Sequence, residues 1–322
     1  MPMNARALLG ILLCVATSIA GAAGDHYPSK PIRLVVPFTP GGSNDLVGRV
    51  ISQKLFEAWG QPVIIDNRPG GGSTIGIDVV VRAPPDGYTL LTTSAGISIN
   101  GSLYKLPFNP ITDLAPVILL AQMPYLLAVN PALPLKSARD VVTQAKAQPG
   151  KLIFASSGAG TSSHLAMELF RTMAGIDLLH VPFKGGGPAV TSVMGGEVHG
   201  IFNVITGTLP YARSGKLRAL AVSSAKRAEV ALDIPTIAES GVTGYDMISW
   251  YNVFAPARTP RPIIDRLNGE INRMLQLPEV RERFQALGVT PLGSTPEALG
   301  KYLAFETARW AKLIKDAGIQ IK

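Results

Sequence analysis

A strand that runs into a Pro/Gly loop and then directly into a helix is the feature that most constrains this chain. Residues 32–38 are apolar apart from Arg33, and the loop that follows reads Thr39-Pro40-Gly41-Gly42-Ser43-Asn44-Asp45. Beyond the loop, apolar residues recur at steps of three and four, which predicts one buried helix face. Glycines let the backbone approach a guest closely, and the first N–H groups of a helix attract negative charge. The stretch predicts an anion-binding cradle without a formal positive charge, or else an ordinary strand-to-helix turn of an α/β domain.

The same pattern, a strand followed by a loop of small residues, recurs along the chain. A second strand at 62–66 ends in Asn67-Arg68-Pro69-Gly70-Gly71-Gly72-Ser73-Thr74, and a third at 88–93 ends in Ser94-Ala95-Gly96. Two later strands, at 152–155 and 178–183, also lead into small-residue loops. Strands that alternate with helices predict a parallel sheet, which binds ligands at the carboxyl ends of its strands. The repetition favours the cradle over the ordinary turn.

The order of these units predicts two domains. A β-like stretch at 115–130 is long enough to cross from one domain to another, and βα units lie on both sides of it. Helices dominate the end of the chain, which is expected to pack back on the first sheet. At 322 residues the chain is long enough for two domains. We expect a discontinuous domain 1 of residues 24–124 plus 223–322, a domain 2 of residues 125–222, and a hinged cleft between them.

Residues 1–23 have the pattern of a secretory signal peptide. Arg6 is followed by an apolar run at 7–16 and then by the small residues 20–23. The run is well short of the ~20 apolar residues that span a bilayer. Cleavage after Ala22 or Ala23 predicts an exported protein.

Composition and motifs narrow the possible functions. Cys14 is the single cysteine and leaves with the signal peptide, so the mature chain has no thiolate chemistry. The net charge of +8 falls to +7 without Arg6, and the cations are scattered, so nucleic-acid binding is not expected. No nucleophile elbow or phosphate loop is complete, and the four histidines lack metal-ligand spacing. We expect no catalytic residue, no metal and no cofactor.

Several stretches together resemble one family over nearly the whole mature chain. They are the loop 37–45, the segments 67–76 and 215–222, Val181-Pro182-Phe183-Lys184-Gly185 and Pro235-Thr236-Ile237-Ala238-Glu239. The sequence is similar to the Bug (Bordetella uptake gene, or TctC-like) family, the periplasmic solute-binding proteins of tripartite tricarboxylate transporters. The resemblance implies a type II periplasmic-binding-protein fold, an α/β fold with two βα domains joined by a hinge.

The resemblance also implies a function. The protein would capture a small carboxylate in the periplasm by closing its cleft, and deliver it to the permease subunits of a membrane transporter. We expect a monomer that does not itself span the membrane. An exported enzyme acting on a small carboxylate, or a stand-alone ligand sensor of the same fold, is the alternative. Which carboxylate is bound, aliphatic or aromatic, stays open.

Members of this family typically hold the ligand carboxylate with backbone amides, hydroxyls and ordered waters, without an arginine clamp. The resemblance implies a first wall made of Phe38, Gly41, Gly42, Ser43, Asp45 and Ser94. It implies a facing wall made of Thr161, Ser162, Ser163 and His164, with Lys184 and Gly185 beside it. Asn203 stands where relatives often have an aspartate suited to an ammonium group, which disfavours an amino-acid ligand.

Some of these residues also have ordinary structural explanations. Asp45 is expected to cap its helix, since two carboxylates would repel each other. His164 could cap or pack at the start of a helix, and Lys184 could be a solvated loop residue. Trp250, Tyr251 and Phe254 favour core or hinge packing over a stacking platform.

Overall fold

Strands and helices alternate along most of the chain, as the sequence predicts. The computed structural model describes residues 27–316, so the expected signal peptide lies outside the described residues. The strands are β1 (Ile32–Val36), β2 (Val63–Asn67), β3 (Thr89–Ser94), β4 (Leu114–Val129), β5 (Ile153–Ser156), β6 (Leu179–Pro182), β7 (Gly200–Val204), β8 (Arg218–Val222), β9 (Ile248–Pro256) and β10 (Thr290–Pro291). The helices are α1 (Ser43–Trp59), α2 (Thr74–Val81), α3 (Gly96–Leu103), α4 (Ala138–Ala147), α5 (Ser162–Ala174), α6 (Gly186–Gly195), α7 (Leu209–Arg213), α8 (Arg261–Met274), α9 (Pro278–Ala286) and α10 (Pro296–Asp316).

Strand β4 joins two groups of parallel strands. The first group is β2-β1-β3 and the second is β7-β5-β6, in that spatial order. Between them lie β9 and β4, which are antiparallel to each other. Up to Pro124, β4 pairs with β9, and from Tyr125 onward it pairs with β7 and β8. The predicted crossing is therefore one continuous strand that serves both groups, and the predicted α/β fold is confirmed.

The helices cover the sheet with the faces that the sequence indicates. In α1, Val47, Ile51 and Leu55 are buried against the first group while Arg49 is exposed. Ser137 is a favourable residue type at the start of a helix, and it caps α4: its side chain accepts a hydrogen bond from the Asp140 N–H. Packing of these apolar faces brings the amino ends of α1, α5 and α6 to the carboxyl ends of β1, β5 and β6.

The hydroxyl of Ser223 bonds two segments in which the chain passes between the two groups of strands. Its hydroxyl accepts the N–H of Tyr125 at 2.7 Å and donates to the carbonyl of Met247. Farther along, Tyr245 and Trp310 pack into the core around the second group. That core therefore draws on residues beyond 125–222, and the proposed domain boundaries stay a prediction.

The helices within residues 27–316 are not built to cross a bilayer. None of them combines the length and the apolar character that a membrane span needs.

Candidate ligand-binding site

The loop between β1 and α1 leaves helix N–H groups without partners. Gly42 occupies the cap position of α1 with no side-chain capping bond, although the sequence favours Ser43, Asn44 or Asp45 there. Gly41, at φ +80°, turns the chain into the helix. Among the described residues, no acceptor lies in reach of the N–H groups of Ser43, Asn44 and Asp45. These three donors, at the positive end of the helix dipole, suit an anion.

Asp45 holds this loop in shape. Its carboxylate accepts the N–H of Gly41 at 2.9 Å, Nε of Arg49 at 2.8 Å and Nδ2 of Asn67 at 3.1 Å. Burial would raise the pKa of Asp45, but the hydrogen bonds from Arg49, Gly41 and Asn67 outweigh it and lower the pKa. Asn67 also donates to the carbonyl of Phe38 at 3.0 Å. The carboxylate is thus fully engaged within the protein, as a structural role requires, but it does not cap α1: the cap position is Gly42 and has no side-chain capping bond, so the expected capping role is wrong.

Two buried tyrosines link the first wall to the facing wall. Tyr251 is fully buried, and the hydroxyls of Ser43 and Ser249 lie beside its own. Tyr125 has Ser249 and Ser162 beside its hydroxyl. Burial raises the pKa of both phenols, so each stays neutral. The Tyr251 hydroxyl itself donates to Sδ of Met123 at 3.6 Å. Serines at the starts of α1 and α5 thus each lie near a buried tyrosine.

Ser94 completes the first wall at the end of β3. It stands opposite Tyr251 in the register of β3 and β9, and it is buried. The structure thus brings Ser43 and Ser94 to the same tyrosine. Sequence reasoning placed Tyr251 in the core, which its burial supports, but did not anticipate its position beside Ser43.

Most side chains of the facing wall are engaged within the protein. Thr161 donates to the carbonyl of Gly158 at 2.7 Å and caps α5. The hydroxyl of Ser163 donates to the carbonyl of Phe202 and accepts the N–H of Ser157. No protein acceptor within residues 27–316 meets the N–H groups of Ser162 and Ser163. The facing wall can thus offer a ligand these backbone donors, together with the Ser162 hydroxyl.

His164 is buried inside the facing wall. Its Nδ1 accepts the N–H of Gly160 at 3.1 Å, and its Nε2 lies 3.6 Å from Oε1 of Glu168. Its ring stacks on that of His180, with centroids 3.8 Å apart. With both nitrogens and one ring face facing protein groups, the packing explanation for His164 is favoured over a ligand contact.

Asn203 packs at the start of α6, Gly185 lies in the loop just before it, and Lys184 is exposed. The N–H of Gly185 donates to the carbonyl of Ser157 at 3.1 Å, which fixes the loop before α6. Asn203 is buried and donates to Thr208 at 3.2 Å. Its Oδ1 lies only 2.7 Å from where a Cβ would sit on Gly186, so the amide packs directly on the first turn of α6.

One hydrogen bond crosses between the two walls. Tyr104, just after α3, donates its hydroxyl to the carbonyl of Ala159 at 3.0 Å. Its ring packs on Gly72, where an added Cβ would lie 3.1 Å from the ring. Sequence reasoning missed Tyr104, Asn67 and His180. The i,i+4 spacing of Asp45 and Arg49 is a readable signal, whereas no local signal pointed to Tyr104.

A metal site would need several ligand side chains close together. Across the described part of the chain, no three His, Cys, Asp or Glu side chains are grouped so that they could hold an ion.

Comparison with known proteins identifies the family of this chain. Residues 47–319 match the model of the tripartite tricarboxylate transporter family receptor, TctC. The chain belongs to this family. BugT of Bordetella pertussis is 39% identical to it over 319 residues, which cover 98% of each chain.

Three solved structures share the fold. Rpa4515 of R. palustris, solved with adipate, is 37% identical with a TM-score of 0.87 over 91% of this chain and 99% of its own. The periplasmic binding protein BugD has 34% identity and a TM-score of 0.85 over 92% and 100%. MatC of Rhodopseudomonas palustris, solved with bound malate, has 31% identity and a TM-score of 0.82 over 89% and 100%.

Proposed function

We propose that this TctC-family protein is exported to the periplasm, captures a small carboxylate between its two walls, and delivers it to a membrane permease. The amino end of α1 carries the proposal. Three backbone N–H groups there have no acceptor among the described residues, and the nearby carboxylate of Asp45 is already bonded to Arg49. Such donors complement a carboxylate without a free cation.

The relatives support this ligand class. Rpa4515 was solved with adipate and MatC with malate, and both superpose on this chain over about nine tenths of its length. Ligand would bind first to the wall at α1, and closure would bring the N–H groups of Ser162 and Ser163 onto it. BugD is a periplasmic binding protein, and its likeness to this chain supports the proposed location. The signal peptide would be cleaved near Ala22 or Ala23, leaving a monomeric mature chain.

We propose binding without catalysis. A serine–histidine pair does occur, since Oγ of Ser156 lies 2.7 Å from Nε2 of His180. Ser156 is fully buried, however, and its hydroxyl is also bonded to the backbone of Gly158. A nucleophile must reach its substrate, so this pair suits a structural role. Turnover of carboxylate esters or lactones by the purified protein would contradict the proposal.

A thermal-shift screen against small mono-, di- and tricarboxylates tests the function directly. A ligand that binds only the native state raises the unfolding temperature, so micromolar binders are detectable. We expect stabilisation by at least one carboxylate and none by its amide analogue. Mass spectrometry of the natively purified protein would show any ligand that co-purifies. Amino acids are expected to bind poorly, because Asn203 supplies no charge for an ammonium group.

The Ser43→Ala variant tests the site. Loss of this hydroxyl is expected to weaken carboxylate binding by about 1 kcal/mol or more, which is roughly fivefold in Kd. Thr143→Ala, on the exposed face of α4, serves as the control and is expected to bind as the wild type does. Isothermal titration of both variants measures the difference. Wild-type affinity in Ser43→Ala would remove Ser43 from the site.

A further inference from the structure

His180 is a partly buried titratable side chain to which the proposed function assigns no role. It lies on β6, and its ring stacks on His164 of α5 with centroids 3.8 Å apart and planes 8° from parallel. Its Nε2 lies 2.7 Å from Oγ of Ser156, at the end of β5. His180 therefore contacts both elements that flank residues 156–161, the facing loop.

The two stacked histidines hold the facing loop through its backbone. The Ser156 hydroxyl, bonded to His180, accepts the N–H of Gly158 at 3.2 Å. His164 accepts the N–H of Gly160 at 3.1 Å. Between these two anchored glycines lies Ala159, whose carbonyl accepts the hydroxyl of Tyr104 from the other wall. The histidine pair thus fixes the backbone on both sides of Ala159, the residue that contacts the opposite wall.

The charges around the pair come from α5. Oε1 of Glu168 lies 3.6 Å from Nε2 of His164, and its Oε2 lies 2.8 Å from Arg171. Arg171 in turn lies 3.4 Å from Asp177. From β5 the neutral hydroxyl of Ser156 faces the pair. The acid on this helix is therefore already paired with an arginine, and a proton on His180 would be stacked against a second imidazole.

We propose that His180 is a positioning residue for the ligand: its neutral ring holds the facing loop in the shape that closes the cleft, and its protonation releases the loop. The proposal rests on the proposed function, because it concerns closure on a ligand. His180 acts through Ser156 and His164 and need not touch the ligand itself.

The sign of the pH effect follows from the surroundings. Burial, with a smaller contribution from His164, lowers the pKa of His180 from its usual 6.5 to about 4, although Glu168 acts in the opposite direction. A released loop exposes the ring, so that state gains the proton first as the pH falls. The ordered loop is therefore favoured above pH 6.5 and loses that advantage toward pH 4. Between pH 7.5 and 5.5 this difference shifts the loop equilibrium about tenfold toward release, and ligand binding weakens by up to the same factor.

The test compares the pH dependence of carboxylate binding in wild type and His180→Gln. The glutamine amide can still bond Ser156 but does not titrate. We expect near wild-type affinity for adipate or malate at pH 7.5, and loss of the extra weakening, of up to about tenfold, that the wild type shows at pH 5.5. Titration of the ligand itself affects both proteins equally. Full pH dependence in His180→Gln would overturn the proposal.

A matched control is available on the same domain. His199 accepts the N–H of Ile153 at 2.9 Å, at the opposite end of β5 from Ser156. His199→Gln is expected to keep the wild-type pH profile. If His199→Gln also removes the pH dependence of binding, the effect is not specific to His180 and the proposal fails.

A second measurement is independent of any ligand. An NMR titration of the wild-type imidazole protons should give His180 a pKa well below 6. The protection factors of the Gly158–Gly160 amides, corrected for the intrinsic pH dependence of exchange, should fall over the same pH range. An ordinary pKa, or protection factors that do not change with pH, would overturn the proposal. Should no carboxylate bind at pH 7.5, the proposed function fails, while these two readouts still decide whether His180 holds the loop.

Discussion

At the scale of single residues, Asp45 shows how a carboxylate can prepare the proposed anion site without occupying it. Its two oxygens accept hydrogen bonds from the loop backbone, from its own helix and from β2. Those bonds shape the loop that presents the free N–H groups of α1. The negative charge is meanwhile neutralised by Arg49, so it does not repel an incoming carboxylate.

Replacing Asp45 by asparagine is expected to destabilise the protein. The amide can no longer accept all three donors, and bonds to a charged acceptor are worth about 1–3 kcal/mol. Because the pKa of Asp45 is lowered in the folded state, its contribution is present above the ordinary carboxyl range and is lost as the pH falls through the lowered value. Urea unfolding should therefore show the largest deficit near pH 7 and a shrinking one below about pH 4.

Asp265→Asn provides the matched control. Asp265 also pairs with an arginine four residues away in a helix, at 2.7 Å, but both partners are exposed. It is expected to have little effect on stability. Equal stability of Asp45→Asn and wild type at neutral pH would contradict the role assigned to Asp45.

Residue roles that depend on contacts within one helical turn can be predicted from the sequence, whereas roles that depend on contacts between distant residues cannot. Ser137 as a cap and the spacing of Asp45 to Arg49 are local patterns, readable within one helical turn. The bond from Asn67 to Asp45 depends on β1 pairing with β2, and that from Tyr104 to Ala159 spans 55 positions. A single sequence carries no direct signal for such distant pairs.

At the scale of elements, α2 sets the position of the first wall. An added Cβ on Gly76 would lie 2.6 Å from Cβ of Pro37 and 2.9 Å from the carbonyl of Arg68. Only glycine therefore lets α2 approach the end of β1 this closely. Gly76 belongs to one of the segments that carry the family resemblance, but its packing role is visible only in the structure.

Gly76→Ala is expected to destabilise the protein by about 1–3 kcal/mol through overpacking and to weaken carboxylate binding by displacing the loop after β1. Gly269→Ala, on the exposed side of α8 with nothing within 4 Å, is the control. It should stabilise by roughly 0.5–1 kcal/mol, since alanine is the better helix former. Denaturant unfolding and ligand titration measure both. An unaffected Gly76→Ala would show that α2 can shift freely.

Whether a segment forms a helix or a strand could be predicted where its residue pattern is long. Which strands pair with each other could not. Cap residues and apolar periodicity predict tail helices that begin at 261, 278 and 295, and the structure begins them at Arg261, Pro278 and Pro296. The insertion of β9 between β3 and β4 joins residues far apart in the chain, so periodicity could not foretell it.

At the scale of the whole molecule, closure on the ligand is the central expectation. Small-angle scattering should show a smaller radius of gyration when a saturating carboxylate is added. Tyr104→Phe keeps the ring on Gly72 but loses the bond to Ala159, so it should close less and bind about fivefold more weakly. Tyr211→Phe, on the exposed α7, is the control. Unchanged scattering in the wild type with ligand bound would count against closure.

Strand β4 has a further consequence for how such proteins can be rearranged. Pro124 pairs with β9 and the adjacent Tyr125 pairs with β7, so a cut between them would open two sheet edges at once. Neither half is a portable module. A chimera that took one half from a relative would need matching partners along all of β4, so gene shuffling should succeed at surface loops and fail at this strand.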